Sequence, residues 1–145
     1  MSKISGENFT LRTGMHLHLV GIGGAGMSAI ARVLLGRGFV VSGSDRDAND
    51  QTHSLGQEGA VIFVGHDANH IIGAEAIIIS SAIPNNNPEV TAAHAAGVPV
   101  FKRSDFLGYL MHGSVGIAIA GSHGKTSTTG MIAHILLETD NDPTV

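Results

Sequence analysis

The chain has 145 residues, 43% of them hydrophobic but only 4% aromatic, a length that suits one domain with an aliphatic core. Its 20 Gly show no Gly-X-Y period and stand beside only 4 Pro, which excludes collagen and argues against a linker, while a net charge of −4 and 8 scattered Lys and Arg argue against nucleic acid or membrane as partner. The absence of Cys excludes disulfides and thiolate metal sites and suits a reducing, cytoplasmic setting, and no apolar run reaches the length of a membrane span or a signal peptide.

Residues 1–14 are polar and mixed and read as an N-terminal extension. From Met15 onward, apolar β-rich runs are predicted at His16 to Val20, Phe39 to Ser42, Val61 to Val64, Ala76 to Ser80, Val98 to Phe101 and Val115 to Ala120. Helical patterns are predicted at Ser28 to Gly36, Asp50 to Gln57, Glu89 to Ala96, Ser104 to Met111 and Lys125 to Glu138. Strands alternating with helices predict an α/β fold, a Rossmann-like parallel sheet with helices on both faces. His112-Gly113-Ser114 reads as a linker, so 15–112 forms one domain and 113–145 the first βα unit of a second, phosphate-loop domain that is cut short.

Two glycine loops carry the chemistry. Gly21-Ile22-Gly23-Gly24-Ala25-Gly26 follows a predicted strand and opens a helix, in the pattern G-x-G-x-x-G. In that pattern Gly21 makes the tight turn, Gly23 lets the backbone approach a pyrophosphate, and Gly26 allows close helix–strand packing. The helix N-terminus then offers N–H groups to the phosphates. Asp45, at the end of the second strand, is placed to accept from a ribose hydroxyl, and its loss is expected to weaken binding with little effect on stability. The second loop, Gly121-Ser122-His123-Gly124-Lys125-Thr126-Ser127, ends in Gly-Lys-Thr as a phosphate-binding loop does. It departs from G-x-x-x-x-G-K-[ST] because Ile119 stands where that pattern has Gly. A backbone nest, the Lys125 charge and the Thr126 hydroxyl for Mg²⁺ still fit a nucleoside triphosphate. His123 faces either that triphosphate or solvent. His16 and His18 share a strand face, but two His with no further ligand do not make a metal site. Two phosphate loops in succession suit a nucleotide-activated substrate plus a triphosphate.

These stretches resemble the Mur ligases of peptidoglycan synthesis. The resemblance rests on His18 to Ser28, Ser42-Gly43-Ser44-Asp45, Gly65-His66, Ser80-Ser81-Ala82-Ile83, Asn87-Pro88-Glu89-Val90 and Ala120 to Thr126. It implies a three-domain enzyme in which ATP, with Mg²⁺, phosphorylates the lactyl carboxylate of UDP-N-acetylmuramate and the amine of L-alanine displaces the phosphate. It implies UDP-sugar contacts from Gly21, Gly23, Gly24, Ala25, Gly26, Met27, Asp45, His66, Ser80, Ser81 and Ala82. It implies ATP contacts from Gly121 to Ser127, with Lys125 catalytic and Thr126 on Mg²⁺. On the same reading the chain lacks the rest of the ATP site and the amino-acid domain, so alone it is expected to be inactive. The alternatives are a ligase of the same family that recycles murein tripeptide, and an NAD-binding Rossmann module.

Overall fold

The computed structural model describes residues 9–111, 115–139, 141 and 143. The sequence linker His112-Gly113-Ser114 and most of the segment after Thr139 lie outside the described residues. The chain divides into two compact units, the first ending at Leu110 and the second beginning at Met111.

The first unit is built on strands β1 (His16–Val20), β2 (Val40–Asp45), β3 (Val61–Val64), β4 (Ala76–Ile79) and β5 (Val100–Lys102). All pairings are parallel, in the order β3-β2-β1-β4-β5. Helices α1 (Ala25–Gly36), α2 (Asp50–Gln57), α3 (Pro88–Ala96) and α4 (Arg103–Met111) follow β1, β2, β4 and β5, and a 3₁₀ turn, Ala68–Ile71, follows β3. This is the doubly wound α/β arrangement, with its topological switch point between β1 and β4.

Side-chain alternation along β1 assigns the two faces. Leu17 and Leu19 join Ile30, Ala31 and Leu34 of α1, Leu55 of α2 and Phe106 of α4 in one buried cluster. Val20 joins Ile77, Ile79, Val90 and Ala93 in a second cluster, beneath α3 and the 3₁₀ turn. His16 and His18 share the Val20 face, because side chains two apart point the same way. The packed unit also reaches back before Met15: the Phe9 and Phe101 ring centroids lie 4.9 Å apart with their planes tilted by 50°, and Leu11 packs against the first cluster.

Some boundaries differ from the sequence expectation. Helix α1 starts at Ala25 rather than Ser28, because the Gly24 carbonyl already accepts from the Met27 and Ser28 N–H groups. Strand β2 runs on to Asp45 through Gly43 and Ser44, poor strand formers that pairing with Leu19, Val20, Ile62 and Phe63 holds extended. Strand β5 is shifted to Val100–Lys102.

In the second unit, helix α5 (Lys125–Glu138) forms as predicted, with Gly124 in the left-handed conformation at its N-cap. The strand predicted at Val115 to Ala120 does not form. A strand needs a neighbour to take its backbone hydrogen bonds, and among the described residues of this unit none is present. Val115 is 97% exposed, and α5 buries none of its residues.

Candidate functional site at the carboxyl edge of the sheet

A cavity of about 590 Å³ opens at the carboxyl ends of the strands, where doubly wound sheets bind ligands. Gly21 after β1, Asp45 at the end of β2, His66 after β3 and Ser80 after β4 all reach it, together with Gly24 and Ala82. Arg46 and the segment from Ile83 to Pro88 complete the wall, apart from Asn85. Sequence reasoning did not single these out, although Ile83 and Asn87-Pro88 were within stretches that carried the resemblance.

The first glycine loop is held by backbone and carboxylate. Gly21 has φ +83° and donates to the Ser44 carbonyl at 2.8 Å, and Ile22 donates to the same oxygen at 3.0 Å. Gly24 caps α1 without any side-chain acceptor, so the first N–H groups of the helix stay open to an anion.

Gly23 is packed against β2 and the start of α2. It is buried, and a Cβ there would lie 2.6 Å from Asn49 Nδ2 and 2.9 Å from Asp45 Oδ2. Its N–H donates to Asp45 Oδ2 at 2.8 Å, and Asn49 Nδ2 donates to its carbonyl at 3.3 Å. A side chain here would have to displace the Asn49 and Asp45 groups that clamp the loop from β2 and α2. One Asp45 oxygen is therefore occupied by the loop itself, which corrects the expectation that Asp45 matters little to stability.

Four other expected contacts, Ala25, Gly26, Met27 and Ser81, do not line the cavity, although the Ala25 and Gly26 N–H groups stay open at the start of α1. The Met27 side chain is buried in the core and its N–H is bonded to the Gly24 carbonyl, so it has nothing to offer a ligand. Gly26 borders the Arg103 guanidinium, 3.0 Å from where a Cβ would stand. Ser81 is exposed outside the cavity lining, as Ala25 is, while Ser80 Oγ accepts from the Ala82 N–H at 3.4 Å.

Beneath the cavity lies a buried polar cluster centred on Glu89, in the first turn of α3. Glu89 is fully buried. Ser44 Oγ donates to its Oε2 at 2.7 Å, His66 Nδ1 lies 3.0 Å from the same oxygen, and His70 Nδ1 lies 2.9 Å from Oε1. His18 Nε2, buried and without a hydrogen bond among the described residues, faces Oε1 at 3.5 Å. Burial by itself raises the Glu89 pKa. The His18, Ser44 and His70 groups turned toward the carboxylate, with the charge that His18 can carry, outweigh burial and lower it from 4.5 to about 2.

His16 and His18 are joined through Ser42, whose Oγ is 2.7 Å from His16 Nε2 and 2.8 Å from His18 Nδ1. The shared strand face thus serves a hydrogen-bond chain from His16 through Ser42 to His18, whose Nε2 faces Glu89.

The depressed Glu89 pKa has a signed consequence. A carboxylate with a lower pKa folded than unfolded contributes stability that is complete above pH 4.5 and lost as pH falls toward about 2. The contribution is on the order of 3 kcal/mol. Urea midpoints measured across that window should fall for the wild-type chain. They should fall less for Glu89→Gln, whose side chain does not titrate.

The second loop is described by its own unit. Gly121 has φ +156° and Gly124 φ +76°, and Lys125 Nζ donates back to the Gly121 carbonyl at 2.6 Å. Ser122, His123, Thr126 and Ser127 are exposed, and the Thr126 hydroxyl makes no hydrogen bond among the described residues.

Comparison with known proteins decides the lineage. The family model described as "Mur ligase family, catalytic domain" matches residues 16–114. The chain belongs to the Mur ligase family. Among curated members, a UDP-N-acetylmuramate–L-alanine ligase from Pelodictyon phaeoclathratiforme is 52% identical over 130 residues, which is 89% of this chain and 27% of the relative. Of solved Mur structures, a UDP-N-acetylmuramate-alanine ligase from Thermotoga maritima is 35% identical with a TM-score of 0.78, covering 86% of this chain and 30% of that one. A murein peptide ligase from Psychrobacter arcticus is 30% identical with a TM-score of 0.81, covering 87% and 27% respectively. This Mur ligase chain therefore spans about a quarter of the length of the curated relatives it matches.

Proposed function

We propose that the first unit is the UDP-sugar site of an ATP-dependent ligase that joins L-alanine to UDP-N-acetylmuramate. The observation that carries this reading is the identity of about half the residues to UDP-N-acetylmuramate–L-alanine ligases across nearly the whole chain. Among solved structures the alanine ligase from Thermotoga maritima shares 35%, against 30% and 28% for two murein peptide ligases, which favours the alanine ligase. Likeness to an NADP-bound regulator, at 15% identity, extends to the fold alone.

The geometry supports a division of tasks. The open N-terminus of α1 faces the diphosphate, and the N–H groups of Ala25 and Gly26 are the donors. Asp45, with one oxygen on Gly23, offers the other to a ribose hydroxyl. His66, Ser80 and Ala82 border the rest of the nucleotide-sugar.

In the second unit, the Gly121–Ser127 backbone and Lys125 hold the ATP phosphates, with Lys125 released from the Gly121 carbonyl to do so. The exposed Thr126 hydroxyl, unpartnered among the described residues, would hold Mg²⁺ as one oxygen ligand. Bound there, Mg²⁺ neutralises charge on the phosphates.

Calorimetry with UDP, UDP-N-acetylmuramate and NAD on the 145-residue chain tests the first site. Heat with both uridine nucleotides and none with NAD is expected. At 100 times its Kd a bound nucleotide should add about 2.7 kcal/mol to stability. Tight NAD binding without a UDP signal overturns the reading.

A further inference from the structure

The Glu89 cluster is not explained by folding alone. Burying a carboxylate is costly, and replacing a buried ion pair by apolar side chains is often neutral or stabilising. The cluster beside it on this face, Val20, Ile77, Ile79, Val90 and Ala93, is apolar. Yet Glu89 lies under the cavity with four polar groups turned toward it, from β1 (His18), β2 (Ser44), the segment after β3 (His66) and the 3₁₀ turn (His70).

An ionised carboxylate has about four acceptor directions on its two oxygens and no donor; Ser44, His66 and His70 lie within hydrogen-bond distance of them, and His18 faces Oε1 from 3.5 Å. One tautomer follows. His66 must carry its proton on Nδ1 to donate to Glu89, whereas His70 Nδ1 is shared between Glu89 Oε1 at 2.9 Å and the Asp67 N–H at 3.3 Å. His18 Nε2 faces Oε1 without a hydrogen bond among the described residues, and its Nδ1 lies 2.8 Å from Ser42 Oγ.

The three histidines do not have equal access to ligand. His18 is fully buried, and His70 is stacked on Phe63 with ring centroids 4.3 Å apart. Of the three, His66 alone borders the cavity. Its Nδ1 is occupied by Glu89 and by Ser44 Oγ at 3.1 Å, so Nε2 is the ring nitrogen left for a ligand.

We propose that Glu89 is a positioning residue of the nucleotide site: from beneath the cavity it holds His66 in its Nδ1–H tautomer and in one orientation, so that Nε2 meets a nucleoside diphosphate. A carboxylate behind a histidine fixes ring and tautomer in the same way at metal sites. The ligand half of the proposal rests on the uridine-nucleotide reading above; the tautomer half does not.

The test uses the 145-residue chain, with UDP as probe. Histidine ring ¹⁵N spectra should show His66 protonated on Nδ1 in the free wild-type chain. In Glu89→Gln the amide turns an N–H toward part of the cluster, so the His66 signals should move toward the other tautomer and UDP affinity should fall about tenfold. If Glu89 works through His66, Glu89→Gln should cost less than twofold once His66→Ala is already present. His70→Gln, which touches the same carboxylate but not the cavity, serves as the control and should leave UDP affinity within about twofold. If Glu89→Gln does not fold, Glu89→Asp takes its place, because it keeps the charge but withdraws it from His66.

A wild-type His66 protonated on Nε2 alone overturns the proposal. So does an unchanged UDP affinity in folded Glu89→Gln, or an equal loss with and without His66, which would make Glu89 a structural residue only. A wild-type chain that binds no UDP overturns the nucleotide reading and the ligand half with it, and the ¹⁵N spectra still decide the tautomer half.

Discussion

Gly43→Ala should destabilise the first unit by about 3 kcal/mol, the upper end of what overpacking a core costs. The new Cβ would lie 2.6 Å from the Leu19 carbonyl oxygen and 2.5 Å from Ile22 Cδ1. Neither neighbour can move away cheaply. Leu19 is in the middle of β1, paired with Gly43 on one side and Ile78 on the other. Ile22 is fully buried, and its N–H is bonded to the Ser44 carbonyl. The two strands would have to separate where they also hold the turn at Gly21, so nucleotide affinity should fall with stability. Gly36→Ala, with open space around the new methyl group at the end of α1, is the comparison and should be neutral or slightly stabilising. Urea denaturation of the two variants checks both values. Equal stabilities would show that the β1–β2 contact is looser than the structure has it.

Asp45→Ala should weaken UDP binding by roughly ten- to a hundredfold, as expected for the loss of a hydrogen bond to a charged acceptor. It should also lower stability by about 1–3 kcal/mol, because the buried Gly23 N–H loses the acceptor it has at 2.8 Å. The two effects separate in Asp45→Asn, whose amide oxygen can still accept from Gly23. If Asp45 meets the ribose, the Asn variant recovers stability but not full affinity. If Asp45 acts only by holding the loop, both recover together. Paired calorimetry and denaturation on the two variants distinguish these outcomes, and unchanged affinity in Asp45→Ala would remove Asp45 from the binding site.

Much of the site was readable from residue order. The strand, glycine turn and helix around Gly21 to Gly26, and the acid at the end of the next strand, form a local pattern, because backbone geometry and spacing are written along the chain. What was not readable was direction. A side chain on Gly23 would meet Asn49 and Asp45, and Met27 packs into the core although it adjoins the loop. Nothing in the spacing says which way a loop residue points. Glu89 stood inside a recognised stretch but had no pattern of its own, since its partners come from four separate segments between His18 and His70.

The sequence by itself determined the alternation of strands and helices, the five strands of the sheet to within a few residues, and the family. Apolar periodicity and glycine placement are local properties, and the matching stretches recur in order along the chain. Only the tertiary structure decided that Val115 to Ala120 is not a strand, since a strand depends on a neighbour to bond with. Only it brought His16, Ser42, His18, Glu89 and His66 into one chain of contacts, because parallel pairing sets His18 beside Ser42 and packing of α3 brings Glu89 beneath them. Buried polar groups find their partners across the fold, and the distances between those partners are set by strand register and helix docking.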